Sequence, residues 1–175
     1  CMMVRLGDAD GLVAGSNSPT ADVLKAAIQV IKTAPGINTV SSTFIMETAD
    51  GKFGDNGLIL FADCAVIPEP NAEQLADIAC ATAATAASVV GLEPRVAMLS
   101  FSTKGSAKHP LVDKVQYACE ILEERNVTFS FDGELQADAA IVESIRVKKA
   151  PGSKVAGKAN ILVFPDLQSG NIGYK

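Results

Sequence analysis

The apolar positions along this chain change several times between a strand-like and a helix-like spacing. Short apolar runs alternate with stretches in which apolar residues recur every three or four positions. The predicted strands are 12–14, 39–46, 58–66, 95–101, 127–131 and 159–164. The first predicted helix starts at Ser18-Pro19-Thr20, and the next follows the cap residue Asn71. Two others begin at Pro110 and Asp138, and a further helical turn follows Asp166. Residues 1–6 have the apolar pattern of the last turns of a helix.

Local signals support several of these boundaries. Asn71 followed by Gln74 forms a capping box, and Pro110 is well suited to the first turn of a helix. Residues 49–57 contain three glycines between two predicted strands, which indicates a hairpin. Because that segment leads into a strand rather than a helix, it is not a phosphate loop. The alternation predicts an α/β fold, a three-layer sandwich with a largely parallel sheet and one antiparallel hairpin.

Composition narrows the possible partners of the chain. Of its 175 residues, 48% are hydrophobic, and 15 Lys and Arg against 20 Asp and Glu give a net charge of −5. This balance is typical of a globular protein without a basic nucleic-acid-binding face. The longest uncharged stretch, 78–92, is too short and too weakly apolar to cross a bilayer, and no signal peptide is visible. We therefore expect neither nucleic acid nor a membrane as a partner.

The cysteines indicate a reducing compartment. Cys1, Cys64, Cys80 and Cys119 form no CxxC pair, and the chain has a single histidine, which excludes the usual zinc-ligand sets. We interpret all four as reduced cysteines of a cytoplasmic protein.

Three predicted strand-to-helix loops, 15–20, 100–106 and 164–171, are rich in hydroxyl groups and glycine. In a parallel sheet such loops lie beyond the carboxyl ends of the strands, where ligands bind, and their N–H and hydroxyl donors suit a phosphate or carboxylate. The alternative is that the same residues only cap helices. Lys175 is the most interesting candidate charge partner, and Lys149 at a helix end also has a structural explanation. At least half of the candidate lysines are expected to be ordinary surface residues, and the full set is Lys104, Lys108, Lys149, Lys154, Lys158 and Lys175. The candidate ligand residues in the loops are Ser16, Thr20, Ser102, Gly105, Ser106, Asp166 and Asn171.

Signatures of nucleophilic catalysis are weak. The chain has no GxSxG motif, and His109 before Pro110 fits an exposed or capping residue better than a catalytic base. Asp132-Gly133-Glu134 fits a strand end followed by a turn better than an acid pair.

Longer motifs identify a family. They are 7–16 (GDADGLVAGS), 32–36 (KTAPG), 61–66 (FADCAV), 93–106 (EPRVAMLSFSTKGS), 132–138 (DGELQAD), 149–160 (KAPGSKVAGKAN) and 164–175 (FPDLQSGNIGYK). In order and spacing the chain resembles the phosphate acetyltransferases (phosphotransacetylases) of the phosphate acetyl/butyryltransferase family over nearly its whole length.

This resemblance implies a fold similar to that of isocitrate and isopropylmalate dehydrogenases, with two α/β domains around a cleft. It implies the reaction acetyl phosphate + coenzyme A = acetyl-CoA + phosphate, coenzyme A as a substrate, no tightly bound cofactor, no metal, and a homodimer. It also implies that both ends are cut. Residues 1–165 would be the second domain, incomplete at its N-terminus, and 166–175 the start of the return to the first.

The family's catalytic Ser-Arg pair and catalytic Asp lie beyond the equivalent of Lys175, so no catalytic residue is expected within this segment. We therefore expect the fragment to be inactive alone. The resemblance implies that the candidate loop residues, with Lys149 and Lys175, bind substrate. Three alternatives remain open: a phosphate butyryltransferase, a non-catalytic acetyl-CoA-sensing domain appended to malic enzyme, and a generic nucleotide-binding α/β domain.

Overall fold

The computed structural model describes residues 1–35 and 37–175. Gly36, which ends the KTAPG motif, lies outside the described residues. The chain forms two compact units, Cys1–Val40 and Ser41–Lys175. The proposed domain boundary between residues 165 and 166 is a separate prediction about the longer protein.

The first unit contains two helices. Helix α1 (Met2–Leu6) ends at Gly7, which has φ +82, and helix α2 (Thr20–Val30) begins directly after Pro19, as predicted. The predicted strand at 12–14 is wrong, because the described residues of this unit contain no strand. Val13 is fully exposed, and none of the strands in residues 1–35 and 37–175 pairs with its backbone. A three-residue apolar run does not specify a strand without such a partner.

The second unit is built on a five-stranded sheet of order β1-β2-β5-β3-β4. Strand β1 pairs with β2 in antiparallel fashion, whereas the β2–β5, β3–β5 and β3–β4 pairs are parallel. The predicted hairpin and the largely parallel sheet are therefore confirmed. The strands are β1 (Phe44–Glu47), β2 (Leu58–Ala62), β3 (Arg95–Leu99), β4 (Ser130–Leu135) and β5 (Ile161–Val163).

Helices and loops cover both faces of this sheet. The helices are α3 (Ala72–Thr85), α4 (Pro110–Glu124), α5 (Ala137–Ile141), α6 (Glu143–Lys149) and α7 (Leu167–Gly173), and α3 continues into a π-helical segment, Ala86–Val90. One core lies between the sheet and α3 and α4, and the other contains Ala140 of α5 and Val155. The three-layer architecture is thus confirmed.

The capping box at the start of α3 is present as predicted. The Asn71 side chain accepts from the Gln74 N–H at 2.8 Å, and the Asn71 N–H donates to Gln74 Oε1 at 3.0 Å. The reciprocal bonds satisfy donors at the helix start that would otherwise be unpaired.

Besides the strand at 12–14, the predicted strand 39–46 is shorter in the structure, where β1 begins at Phe44. Two further predicted elements also differ. The predicted helix 138–148 is divided into α5 and α6 at Val142, which has an extended backbone. The predicted strand 127–131 begins later, at Ser130, and runs to Leu135. Residues 132–134 therefore lie inside a strand, and the interpretation of a strand end and turn is wrong. Parallel pairing with β3 and burial of Glu134 outweigh the low strand propensity of Asp and Gly.

Candidate functional site

The carboxyl ends of β2, β5, β3 and β4 lie side by side at one edge of the sheet. This edge of a parallel sheet is where ligands bind in open α/β folds. The loop after β3 leads to α4, the loop after β5 leads to α7, and Gln136 follows β4 directly. The candidate residues of the second unit lie on or near these segments.

The loop after β3 is organised around Glu134, whose carboxylate is almost completely buried. Its Oε1 accepts from Ser102 Oγ at 2.9 Å and from the Gly105 N–H at 2.7 Å, and its Oε2 accepts from Gln116 Nε2 at 2.9 Å. Ser106 Oγ accepts from the Thr103 N–H at 3.0 Å and lies 3.2 Å from Ser102 Oγ. The structure brings Ser102, Gly105 and Ser106 together, but it directs the first two towards a carboxylate of the chain itself.

The environment of Glu134 keeps its carboxylate charged. Burial raises the pKa of Glu134, but the hydrogen bonds from Gly105, Gln116 and Ser102 outweigh it, so the pKa lies below its ordinary value. Sequence reasoning missed this residue, because its partners lie 18 to 32 positions away along the chain. The local sequence, Asp132-Gly133-Glu134, is polar and does not indicate a buried carboxylate.

A cavity of about 410 Å³ lies beside this loop, and we call it the lysine cavity. Lys104 donates to Asp132 and to the Gly133 carbonyl oxygen at 2.8 Å. Lys149 donates to Gln136 Oε1 and Asp138 Oδ2, both at 2.9 Å. The two exposed ammonium groups are thus held by residues in and just after β4. The cavity is lined by Lys104, Phe131, Asp132, Lys149, Ala150, Pro151, Gly152, Ser153 and Lys154.

A second cavity, of about 320 Å³, lies between the loops that follow β3 and β5, and we call it the apolar cleft. Asp166 lines this cleft. The Asp166 carboxylate also accepts a hydrogen bond from the Ser169 N–H at 2.8 Å and thereby caps α7. The cleft is lined by Leu99, Ser100, Phe101, Ala137, Phe164, Pro165, Asp166 and Ser169. Its apolar walls suit a small uncharged group better than a phosphate.

Lys114 of α4 reaches the same region, and sequence reasoning also missed it. Its ammonium group donates to the Pro165 carbonyl oxygen at 2.8 Å. Burial lowers the pKa of Lys114, and the facing charges of Asp166 and Glu69 oppose this shift only in part. No local motif marks this lysine, because its contacts form only when α4 packs beside the β5 loop.

Asn171 and Lys175 form a pair on and just after α7. Asn171 Nδ2 donates to the Cys64 carbonyl oxygen at 3.0 Å, and its Oδ1 accepts from Lys175 Nζ at 2.7 Å. Lys175 itself is exposed, and its neighbour Tyr174 stacks on Phe44 with ring centroids 4.4 Å apart. Asn171 therefore anchors α7 to the loop after β2 and orients Lys175.

The remaining residues considered in the sequence belong to the first unit or cap a helix. Ser16 and Thr20 belong to the first unit, where both are exposed and Thr20 is the first residue of α2. His109 caps α4 by accepting from the Leu111 N–H at 3.2 Å, which confirms the capping interpretation. The assignment of all nine candidate residues to substrate binding stays a prediction.

Across residues 1–35 and 37–175, no group of three or more His, Cys, Asp or Glu side chains is placed to hold a metal ion. Among the helices in that part of the chain, none combines the length and the apolar character needed to cross a membrane.

Fold and site together define an α/β protein that gathers polar loops and lysines at the carboxyl edge of a mostly parallel sheet. The family model described as "Phosphate acetyl/butaryl transferase" matches residues 1–175, and the chain belongs to this family. It is 62% identical over its full length to the phosphate acetyltransferase of Thermoanaerobacterium thermosaccharolyticum, of which it covers 53%. The chain spans about half the length of the curated relatives that it matches.

Solved structures agree with this assignment. A phosphotransacetylase from Streptococcus pyogenes superposes with a TM-score of 0.89 at 50% identity, over 98% of this chain and 51% of that one. A branched-chain phosphotransacylase from Enterococcus faecalis gives a TM-score of 0.75 at 26% identity, over 98% of this chain and 59% of that one.

Proposed function

We propose that the longer protein containing this chain transfers an acetyl group between phosphate and coenzyme A, in the reaction acetyl phosphate + CoA = acetyl-CoA + phosphate. The observation that carries the proposal is the meeting of Lys104 and Lys149 in one cavity beside the ligand-binding edge of the sheet. Both substrates carry phosphate groups, and ammonium groups in a concave site attract them.

Each cavity has a part in this proposal. In the lysine cavity, Lys104 and Lys149 have amine donors beyond those that contact Asp132, Gln136 and Asp138, since each ammonium group carries three N–H donors. A phosphate oxygen can therefore be bound without breaking these contacts. The apolar cleft, with Asp166 and Ser169 at its edge, suits the acyl group. Asn171 and Lys175 extend the proposed binding surface along α7.

Acetyl transfer needs catalytic groups that the residues lining the two cavities do not supply. A thiol with an ordinary pKa near 8.5 requires a general base, and the oxyanion that forms requires a cation or hydrogen-bond donors. We propose that the base and its Ser-Arg partners lie beyond Lys175 in the longer protein. The 175-residue chain alone is then expected to bind the substrates but not to catalyse acetyl transfer.

The comparisons support acetyl rather than bulkier acyl groups. The proteins named phosphate acetyltransferase and phosphotransacetylase are 62% and 50% identical to this chain, whereas the branched-chain phosphotransacylase is 26% identical. An acetyl-CoA-sensing role without turnover is the competing outcome of the activity test.

We further propose a cytoplasmic homodimer. All four cysteines lie in the described residues and are free, which fits a reducing compartment. Exposed Leu111 and Tyr117 on α4 leave apolar surface available to a second copy. Sedimentation equilibrium of the complete protein tests the dimer, and a monomer at micromolar concentration contradicts it.

The decisive experiment measures thioester formation from acetyl phosphate and coenzyme A with the complete protein. Lys149→Ala is expected to raise KM for CoA about tenfold, which corresponds to the loss of one phosphate contact. Lys108→Ala, on an exposed lysine that does not line the cavity, is the matched control. Binding of acetyl-CoA without any turnover by the complete protein would overturn the proposed reaction in favour of a sensor.

A further inference from the structure

We propose that Glu134 is a positioning residue, which locks the loop 102–106 and thereby holds Lys104 at the lysine cavity. The inference rests on the proposed function in one respect, namely that this cavity receives a phosphate group of coenzyme A. Glu134 itself is too deeply buried to touch a ligand, since its exposed fraction is 2%.

The first argument is how the donors are distributed over the carboxylate. Oε1 binds only the loop, through Ser102 Oγ and the Gly105 N–H, whereas Oε2 binds only α4, through Gln116 Nε2. One carboxylate therefore joins β4 to the loop before α4 and to the helix itself. Hydrogen bonds to a charged acceptor are roughly twice as strong as neutral ones, so the loop is held more firmly than its exposed position suggests.

The second argument is the backbone of Lys104. Its φ is +48, and Gly105 follows with φ +80, so the chain makes a left-handed turn between Ser102 and Ser106. Residues other than glycine seldom adopt this backbone conformation. Such a residue keeps it only when the surrounding structure enforces it. The Glu134 side chain holds both flanks of the turn, and the Glu134 carbonyl oxygen accepts from the Lys104 N–H at 3.1 Å.

The third argument is where the turn directs Lys104. Its ammonium group reaches Asp132 and the Gly133 carbonyl oxygen, just before Glu134 in the same strand. Lys149 is held by Asp138 and by Gln136, and Gln136 also binds Thr103 of the loop. Release of the loop would thus displace Lys104 more than Lys149, because Asp138 still holds the Lys149 ammonium group. The expected effect is weaker substrate binding with little change in the chemical step.

The test uses Glu134→Gln and Glu134→Ala in the complete protein, with Gln116→Leu as the matched control. Glu134→Gln keeps the size and one acceptor oxygen but loses the charge, so KM for CoA is expected to rise about threefold. Glu134→Ala removes every bond to the loop, and a rise of about thirtyfold is expected. In both variants kcat should stay within about twofold, which marks a role in binding. Gln116→Leu leaves both loop bonds on Oε1 and should change KM by less than about twofold.

A second measurement is independent of activity. Amide hydrogen exchange of the unliganded protein is expected to become about tenfold faster in peptides covering 100–107 for Glu134→Gln, with no such change for Gln116→Leu. Unchanged exchange in that segment overturns the positioning role, whatever happens to KM. Faster exchange with an unchanged KM for CoA overturns the link to the cavity. If the wild-type protein transfers no acetyl group, the proposed reaction fails, and the exchange data still decide whether Glu134 holds the loop.

Discussion

The hydroxyl group of Ser42 donates to Oδ1 of Asp63 at 2.5 Å, which ties the segment before β1 to the loop that leaves β2. Asp63 is almost completely buried, and its carboxylate also accepts from the backbone N–H groups of Ser42, Ala65, Val66 and Ile67. A single carboxylate thus satisfies the donors of a turn that has no regular secondary structure of its own.

Asp63→Ala is expected to destabilise the protein by roughly 3 kcal/mol, because it leaves several partly buried N–H donors without an acceptor. Urea unfolding followed by circular dichroism measures the change, and Glu120→Gln on exposed α4 surface is the control. A loss as small as that of the control would show that water replaces the carboxylate at this turn.

Gly170→Ala is expected to destabilise α7. A Cβ atom there would overlap the carbonyl oxygen of Asp63 and lie 3.2 Å from Cys64 Sγ, so the helix must move away from the loop. Such overpacking costs about 1–3 kcal/mol. Thermal unfolding provides the measurement, and Gly152→Ala, where a Cβ meets nothing within 4 Å, is the matched control. Equal melting temperatures for the two variants would contradict the close packing of Gly170.

The contribution of Glu134 to stability depends on pH in a defined direction. Burial raises the pKa of Glu134, but its hydrogen bonds lower this pKa by a larger amount. The folded-state pKa therefore lies below the ordinary value of 4.5. The stabilisation is therefore fully present above about pH 4.5 and is lost as the pH falls towards the lowered pKa. The difference in unfolding free energy between wild type and Glu134→Gln should be constant near pH 7 and shrink below about pH 4.5. A difference that does not change with pH would show that the carboxyl is neutral in the folded protein.

The buried thiol of Cys64 and the partly buried thiol of Cys119 are expected to resist alkylation. Burial raises the pKa of Cys64 to about 11 and that of Cys119 to about 12, so little thiolate is present near neutral pH. Iodoacetamide should label both at least a hundredfold more slowly in the native protein than in urea, on the order of the loss in thiolate fraction. Peptide mapping by mass spectrometry distinguishes the sites. Rapid labelling of Cys119 in the native state would mean that α4 opens readily.

Short-range signals predicted much of the fold. The capping box of Asn71 and Gln74 and the proline at the start of α4 depend on neighbours within one helical turn, and both are present. The strand at 12–14 failed because a strand needs a partner that local pattern does not reveal. The later start of β4 has the same cause, since pairing with β3 fixes its position.

The candidate site was predictable only in part. Hydroxyl-rich loops and lysines indicated the carboxyl edge of the sheet, because residue type and the predicted strand order are enough to place them there. Whether Ser102 faces a ligand or the chain depends on Glu134, which is 32 positions away. Lys114 is a similar case, since its partner Pro165 is 51 positions away.

Of the five strands in this sheet, β5 comes last along the chain, yet it lies in the middle of the sheet, between β2 and β3. During translation the β1–β2 hairpin and the β3–β4 pair therefore remain two separate half-sheets until residues 161–163 emerge from the ribosome. Each half-sheet then has an unpaired edge open to other chains. A single three-residue strand therefore joins the two halves into one sheet.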